Sequence, residues 1–214
     1  MPAQLTRVSL LEAVHHLASR DRDLARILHR HGPPPLWARR PGFPTLARII
    51  LEQQVSLASA RSAFERLTRT AGTMAPERIR TLGAADLRAV GITRQKARYI
   101  LELANAVFER RIDLSQIGRL SDDAAREALM TVSGIGPWTA DIYLLMALRR
   151  EDVWPVADLA LARAMQELRA MRRTPSNLTL QRMAREWRPH RSAAARMLWH
   201  QYLSSRASPR ASLP

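Results

Sequence analysis

Residues 129–165, LMTVSGIGPWTADIYLLMALRREDVWPVADLALARAM, decide how this chain is built. Leu129 and Met130 close one helical stretch, Ser133-Gly134-Ile135-Gly136-Pro137 makes a turn, and a second helix is expected from Pro137 to about Arg149. The two glycines let the chain turn through angles closed to other residues. Pro137 suits the first helical position, where its missing N–H costs nothing. Ile135 points back to lock the two helices together. The N–H groups left free at such a helix start, with the helix dipole, attract a phosphate oxygen. An ordinary turn between packed helices has the same form, so the turn alone leaves both readings open. Asp158, a lone carboxylate, then opens a further helix.

Outward from this stretch, nearly every segment repeats at helical period, and no alternating strand is found. Helices are expected over 8–19 and 21–30, followed by the stiff Gly32-Pro33-Pro34-Pro35 connector, and over 45–70 as one long helix or two. Pro76 starts the next, Gly83 breaks it, and 84–90 and 94–109 follow. Ser121 is an N-cap with Asp122 and Asp123 in the first turn. Helices over 158–170, 179–187 and 192–204 complete an all-α chain. Residues 205–214 read as a flexible basic tail. Gly91-Ile92-Thr93-Arg94-Gln95-Lys96-Ala97 faintly echoes the glycine turn without its second glycine.

Composition narrows the partners. The chain has 214 residues, 46% of them apolar, and a net charge of +15. No apolar run reaches the roughly 20 residues a membrane helix needs, and the N-terminus lacks the order of a signal peptide. A soluble cytoplasmic protein with no membrane contact is therefore expected, nucleoid-associated if bacterial, and it is expected to act as a monomer. Cysteine is absent, which excludes disulfides and cysteine-held zinc or iron–sulfur clusters. Of 34 basic side chains only Lys96 is lysine, leaving 33 arginines. Their planar forks suit phosphate contacts, and the excess predicts attraction to a polyanion. Arg-biased composition with incidental surface charge would look alike. His15, His16, His29 and His31 lack the carboxylate pattern of a metal site.

Four stretches carry a family resemblance: Ile50-Leu51-Glu52-Gln53-Gln54-Val55-Ser56, Gly91 to Ala97, the Gly134 turn, and Val153-Trp154-Pro155-Val156-Ala157-Asp158. It continues through Glu186-Trp187-Arg188-Pro189-His190-Arg191-Ser192 to Trp199, covering roughly residues 20–204. On these the chain resembles the helix-hairpin-helix superfamily of DNA glycosylases, in its alkylation-repair branch of the DNA-3-methyladenine glycosylase II type. The resemblance implies an all-α fold of two helical lobes with a DNA-binding cleft. One domain of residues 1–204 is expected, with a lobe of about 45–130 inserted between the N-terminal helices and the C-terminal lobe.

The resemblance makes Asp158 the catalytic carboxylate, a role compatible with a plain N-cap. Helix-end N–H groups favour its ionised form, and a fixed carboxylate steadies positive charge on the sugar as an N-glycosidic bond breaks. It could also act as general base toward water. A base methylated at N3 or N7 is already cationic, so it leaves without a general acid. Such a base is attracted to aromatic faces, and Trp138 and Trp199 stand at pocket positions of the family, with Tyr143 and Phe43 as weaker candidates. The branch that also cuts the backbone carries a lysine where this chain has Trp138, so a monofunctional enzyme acting on double-stranded DNA with alkylated bases is implied. Flipping the base costs a few kcal/mol, and Gln54, with its neighbour Gln53, stands where the family places its wedge. Gly134, Ile135, Gly136, Thr139 and Lys96 are further DNA-contact candidates. No cofactor is expected beyond a structural Na or K ion on the main-chain carbonyls of Met130, Val132 and Ile135. Three rivals remain: a non-catalytic helix-hairpin-helix DNA-binding protein, a glycosylase for other bases such as deaminated (hypoxanthine) or oxidised ones, and a lyase using Lys96.

Overall fold

The structure, a computed structural model, describes residues 3–207. In chain order its helices are α1 (Arg7–Arg20), α2 (Arg22–His31), α3 (Phe43–Glu52), α4 (Leu57–Ala71), α5 (Pro76–Ala89), α6 (Arg94–Phe108) and α7 (Leu114–Ile117). Then come α8 (Asp122–Met130), α9 (Pro137–Met146), α10 (Leu159–Leu168), α11 (Asn177–Ala184), a 3-10 turn over Arg185–Trp187, and α12 (Arg191–Ala207). Among the described residues there is no strand, only a β-bridge between Gln4 and Arg150. The all-α reading from periodicity holds.

Helix starts follow the local chemistry. Thr6, Asp21, Ser56, Thr93, Asp113, Ser121, Asp158 and Ser176 each accept a first-turn N–H with a side-chain oxygen. Pro44, Pro76 and Pro137 lie in the opening turns of α3, α5 and α9. The apolar pattern over 45–70 ran on, but the chain leaves the helix at Gln53 and Gln54 takes φ +55° before Ser56 restarts it. No glycine or proline marks this break, so the pattern alone left one helix or two open. Gly83 kinks α5 at φ +71°, as its breaker role predicts. The one-turn α7 carries too few residues to show a period.

The chain folds as two compact units. The first spans Ala38–Leu148 and holds α3 to α9. At its centre α3 packs against α4, α6 and α9, with Leu46, Ala47, Ile49 and Ile50 fully buried. The second unit joins Ala3–Trp37 to the chain from Arg149 onward. Here α12 is central, packing on α10, α2 and α1. Its small residues Ala193, Ala194 and Ala195 are fully buried, which lets neighbouring helices approach closely. Arg196 on the same helix is also buried; its Nε donates to Leu36 O at 2.9 Å, and burial pushes its pKa down to about 9. Leu5 N–H donates to Arg149 O at 2.7 Å, tying the two chain segments of this unit. Helix α12 runs on to Ala207, into the stretch read as a tail. Residues 208–214 of that stretch lie outside the described residues.

Candidate functional site

In the first unit, α8 and α9 form a hairpin around the glycine turn. Val132 N–H donates to Leu129 O at 3.2 Å and Ile135 N–H to Val132 O at 3.0 Å. Ile135 is buried, as a residue locking two helices must be. The two glycines turn out to be different. Gly134 has φ +93°, and a Cβ there would lie 2.2 Å from Cγ of the Tyr99 ring. Only glycine fits. Gly136 sits at φ −92° and ψ −179° with nothing within 4 Å of a built Cβ, so neither the turn nor the packing requires it to be glycine. The expectation that both glycines serve the turn is corrected to Gly134 alone.

Gln53 braces this hairpin. Its Nε2 donates to Gly134 O and to Thr139 Oγ1, both at 2.9 Å. Thr139 is buried, so as folded its hydroxyl serves this brace and not a surface. Asp141, in the middle of α9, is fully buried and accepts from Arg126 Nε at 2.8 Å, linking α9 to α8.

The end of α3 is similarly tied. Lys96 Nζ donates to Leu51 O at 2.7 Å, placing a cation on the last carbonyls of α3, and partial burial lowers its pKa. Glu52 accepts from Arg39 at 2.8 and 3.0 Å and from Arg48 at 3.1 Å. Next to these tied residues Gln54 is exposed, in left-handed backbone that a non-glycine residue adopts at a cost of about 1–3 kcal/mol. Of the aromatic candidates in this unit, Trp138 is half-buried in the first turn of α9. Tyr143 and Phe43 are instead packed inside, at 0% and 4% exposure. The Tyr143 hydroxyl accepts from Gly42 N–H at 2.9 Å, and burial raises its pKa. Neither ring offers an open stacking face, because α3 and α9 pack on each other through this region.

In the second unit Asp158 caps α10 and is 7% exposed. Its Oδ1 accepts from Leu161 N–H at 2.9 Å and from the indole Nε1 of Trp199 at 3.2 Å. The preceding residue, Ala157, has φ +59°, and its N–H donates to Asn177 Oδ1 at 3.0 Å. Trp199 is 8% exposed and reaches Asp158 from α12. His200 Nε2 bonds His31 O at 2.9 Å and meets the Trp37 ring edge-on at 6.3 Å; His190 stacks edge-on with His16 at 5.2 Å. Sequence reasoning missed Tyr99, Asn177 and the Trp199–Asp158 bond. Each depends on partners 20 or more residues away, for which local spacing carries no signal.

The family model for the HhH-GPD superfamily of base excision DNA repair proteins matches residues 47–190. The chain belongs to this superfamily. A Bacillus subtilis protein provisionally named a DNA-3-methyladenine glycosylase is 28% identical over 82% of the chain and 64% of its own length. DNA-3-methyladenine glycosylase 1 of Schizosaccharomyces pombe is 27% identical over 89% of the chain and 87% of its own length. DNA-3-methyladenine glycosylase 2 of Escherichia coli is 30% identical over 77% of the chain and 62% of its own length. The chain thus spans a little under two thirds of the B. subtilis and E. coli relatives. The S. pombe 3-methyladenine DNA glycosylase, solved in complex with abasic DNA, superposes with a TM-score of 0.82 at 24% identity, over 92% of this chain and 98% of that one. This HhH-GPD protein therefore has the all-helical fold of that solved glycosylase.

Proposed function

We propose that the protein is a monofunctional DNA N-glycosylase of the DNA-3-methyladenine glycosylase II type. It removes alkylated purines such as 3-methyladenine and 7-methylguanine in base excision repair and leaves an abasic site. The bond from C1′ to the cationic base breaks, its electron pair neutralises the departing base, and water adds at C1′ with loss of one proton. Asp158 steadies the positive charge on the sugar and guides the water. The observation that carries this reading is the seating of Asp158: a nearly buried carboxylate at a helix start, fixed on Oδ1 by two N–H donors. The relatives' names supply the substrate class.

The absence of a lyase step rests on lysine. Trp138 stands where that chemistry places its nucleophile, and Lys96, the chain's single lysine, donates to Leu51 O. Trp138 in the first unit and Trp199 in the second are each assigned a base-stacking role, and Gln54 that of the wedge. Its strained backbone beside tied neighbours supports that role. Gly136, with open space around it, lets a DNA phosphate approach the first N–H groups of α9. A monovalent cation on the carbonyls of Met130, Val132 and Ile135 belongs to the same proposal. Neutral oxygens suit such a hard ion, and the Val132 oxygen keeps a second lone pair beside the Ile135 N–H. The protein acts as a cytoplasmic monomer on double-stranded DNA.

The test is incubation with methylated duplex DNA and identification of the released bases. Release of 3-methyladenine and 7-methylguanine, with no borohydride-trapped complex on abasic DNA, is expected. Release of hypoxanthine alone would move the specificity to deaminated bases. DNA binding without any release would make this a binding module.

A further inference from the structure

We infer that Trp199 is a positioning residue for Asp158, acting through its indole N–H and not only as an aromatic wall for the base. The inference rests on the glycosylase function proposed above.

The geometry is specific. A carboxylate cap needs one backbone donor, and Leu161 N–H supplies it at 2.9 Å. Trp199 Nε1 adds a second donor to the same oxygen at 3.2 Å, from a different helix. Both side chains are nearly buried, at 7% and 8% exposure, so water competes little for this bond. A second donor on Oδ1, arriving from another helix, restricts the rotation of the carboxylate about its Cβ–Cγ bond more tightly than the cap bond alone. The backbone before it is tied as well: Ala157 stands in left-handed backbone at φ +59°, and its N–H donates to Asn177 Oδ1 at 3.0 Å. A third group that orients the working side chain is the arrangement by which a base is held in a catalytic triad. Here the oriented group is a carboxylate facing a developing cation. Because Asp158 acts on the sugar, loss of its orientation slows every substrate alike. A stacking wall touches the base, so its loss is felt differently by each base.

Trp187 provides a control from the same unit. It is buried, and its Nε1 donates to Asp21 Oδ2 at 2.8 Å, the same bond type at a helix cap distant in sequence from Asp158. W199F removes the N–H and keeps an aromatic ring; W187F does the same at the control site.

The experiment measures single-turnover release of 3-methyladenine and of 7-methylguanine by the full chain, with melting temperature and abasic-DNA affinity alongside. W199F is expected to slow both bases by the same factor, on the order of 10- to 100-fold, the worth of a hydrogen bond to a charged group. Affinity for abasic DNA should be retained. W187F should lower the melting temperature comparably and leave both rates at wild type. Should W199F fold poorly, benzothienylalanine at position 199, which replaces the N–H by sulfur at constant shape, gives the same readout. Rates equal to wild type, or a loss confined to one base, overturn the inference while the glycosylase function stands. A wild-type protein that releases neither base overturns both.

Discussion

Replacing the two hairpin glycines one at a time separates what the fold needs from what DNA needs. Gly134→Ala must place a Cβ 2.2 Å from Cγ and 2.6 Å from Cδ1 of Tyr99, at φ +93°. The positive φ costs about 1–2 kcal/mol for a residue with a Cβ. Displacing a packed ring adds about 1–3 kcal/mol. Tyr99 cannot swing away without cost, because its hydroxyl accepts from Gln95 Nε2 at 2.8 Å. A loss of about 2–5 kcal/mol is expected from these two effects. Gly136→Ala meets no atom within 4 Å and needs no unusual φ. Alanine is a poorer N-cap than glycine but restricts the unfolded chain, so its net effect should stay within about 1 kcal/mol. Under the proposed DNA contact, however, its methyl group would stand where a phosphate approaches the start of α9. Urea unfolding and fluorescence anisotropy on duplex DNA read the two effects. G134A should lose stability; G136A should keep it and bind DNA at least about tenfold more weakly, or about 1.4 kcal/mol. A G136A protein with wild-type affinity, or a G134A protein as stable as the parent, refutes this division of labour.

Other outcomes follow from named contacts. Asp158→Asn keeps a good N-cap, so melting should barely change while base release falls by about 10²–10³, the scale of losing a fixed transition-state charge partner. Gln53→Ala removes both bonds to the hairpin, and unfolding should show a cost of about 1–3 kcal/mol. Tyr143→Phe leaves the Gly42 N–H without its hydroxyl acceptor and should cost about 1–3 kcal/mol, with the ratio of bases released unchanged. Lys96→Met should cost some stability by leaving Leu51 O without its donor, while borohydride still traps nothing on abasic DNA.

Periodicity, caps and punctuation determined the helices of this chain, because those signals act over a few residues. Ser121 and Asp158 as caps, Pro137 as a first helical residue and Gly83 as a breaker could all be read directly. The break at Gln53–Gln54 could not, since no glycine or proline accompanies it and the bonds that hold it come from Lys96, Gly134 and Thr139. The same limit governed the candidate site. Residue type and spacing singled out Asp158 and the glycine turn. Only the tertiary structure decided which glycine the fold requires, that Gln53 and Thr139 bond to each other inside the first unit, and that Tyr143 and Phe43 belong to its core. It alone put the Trp199 indole on the Asp158 carboxylate, 41 residues away along the chain. A capping bond is closed by neighbours in sequence; a brace between helices exists only once packing has brought distant residues within hydrogen-bond reach.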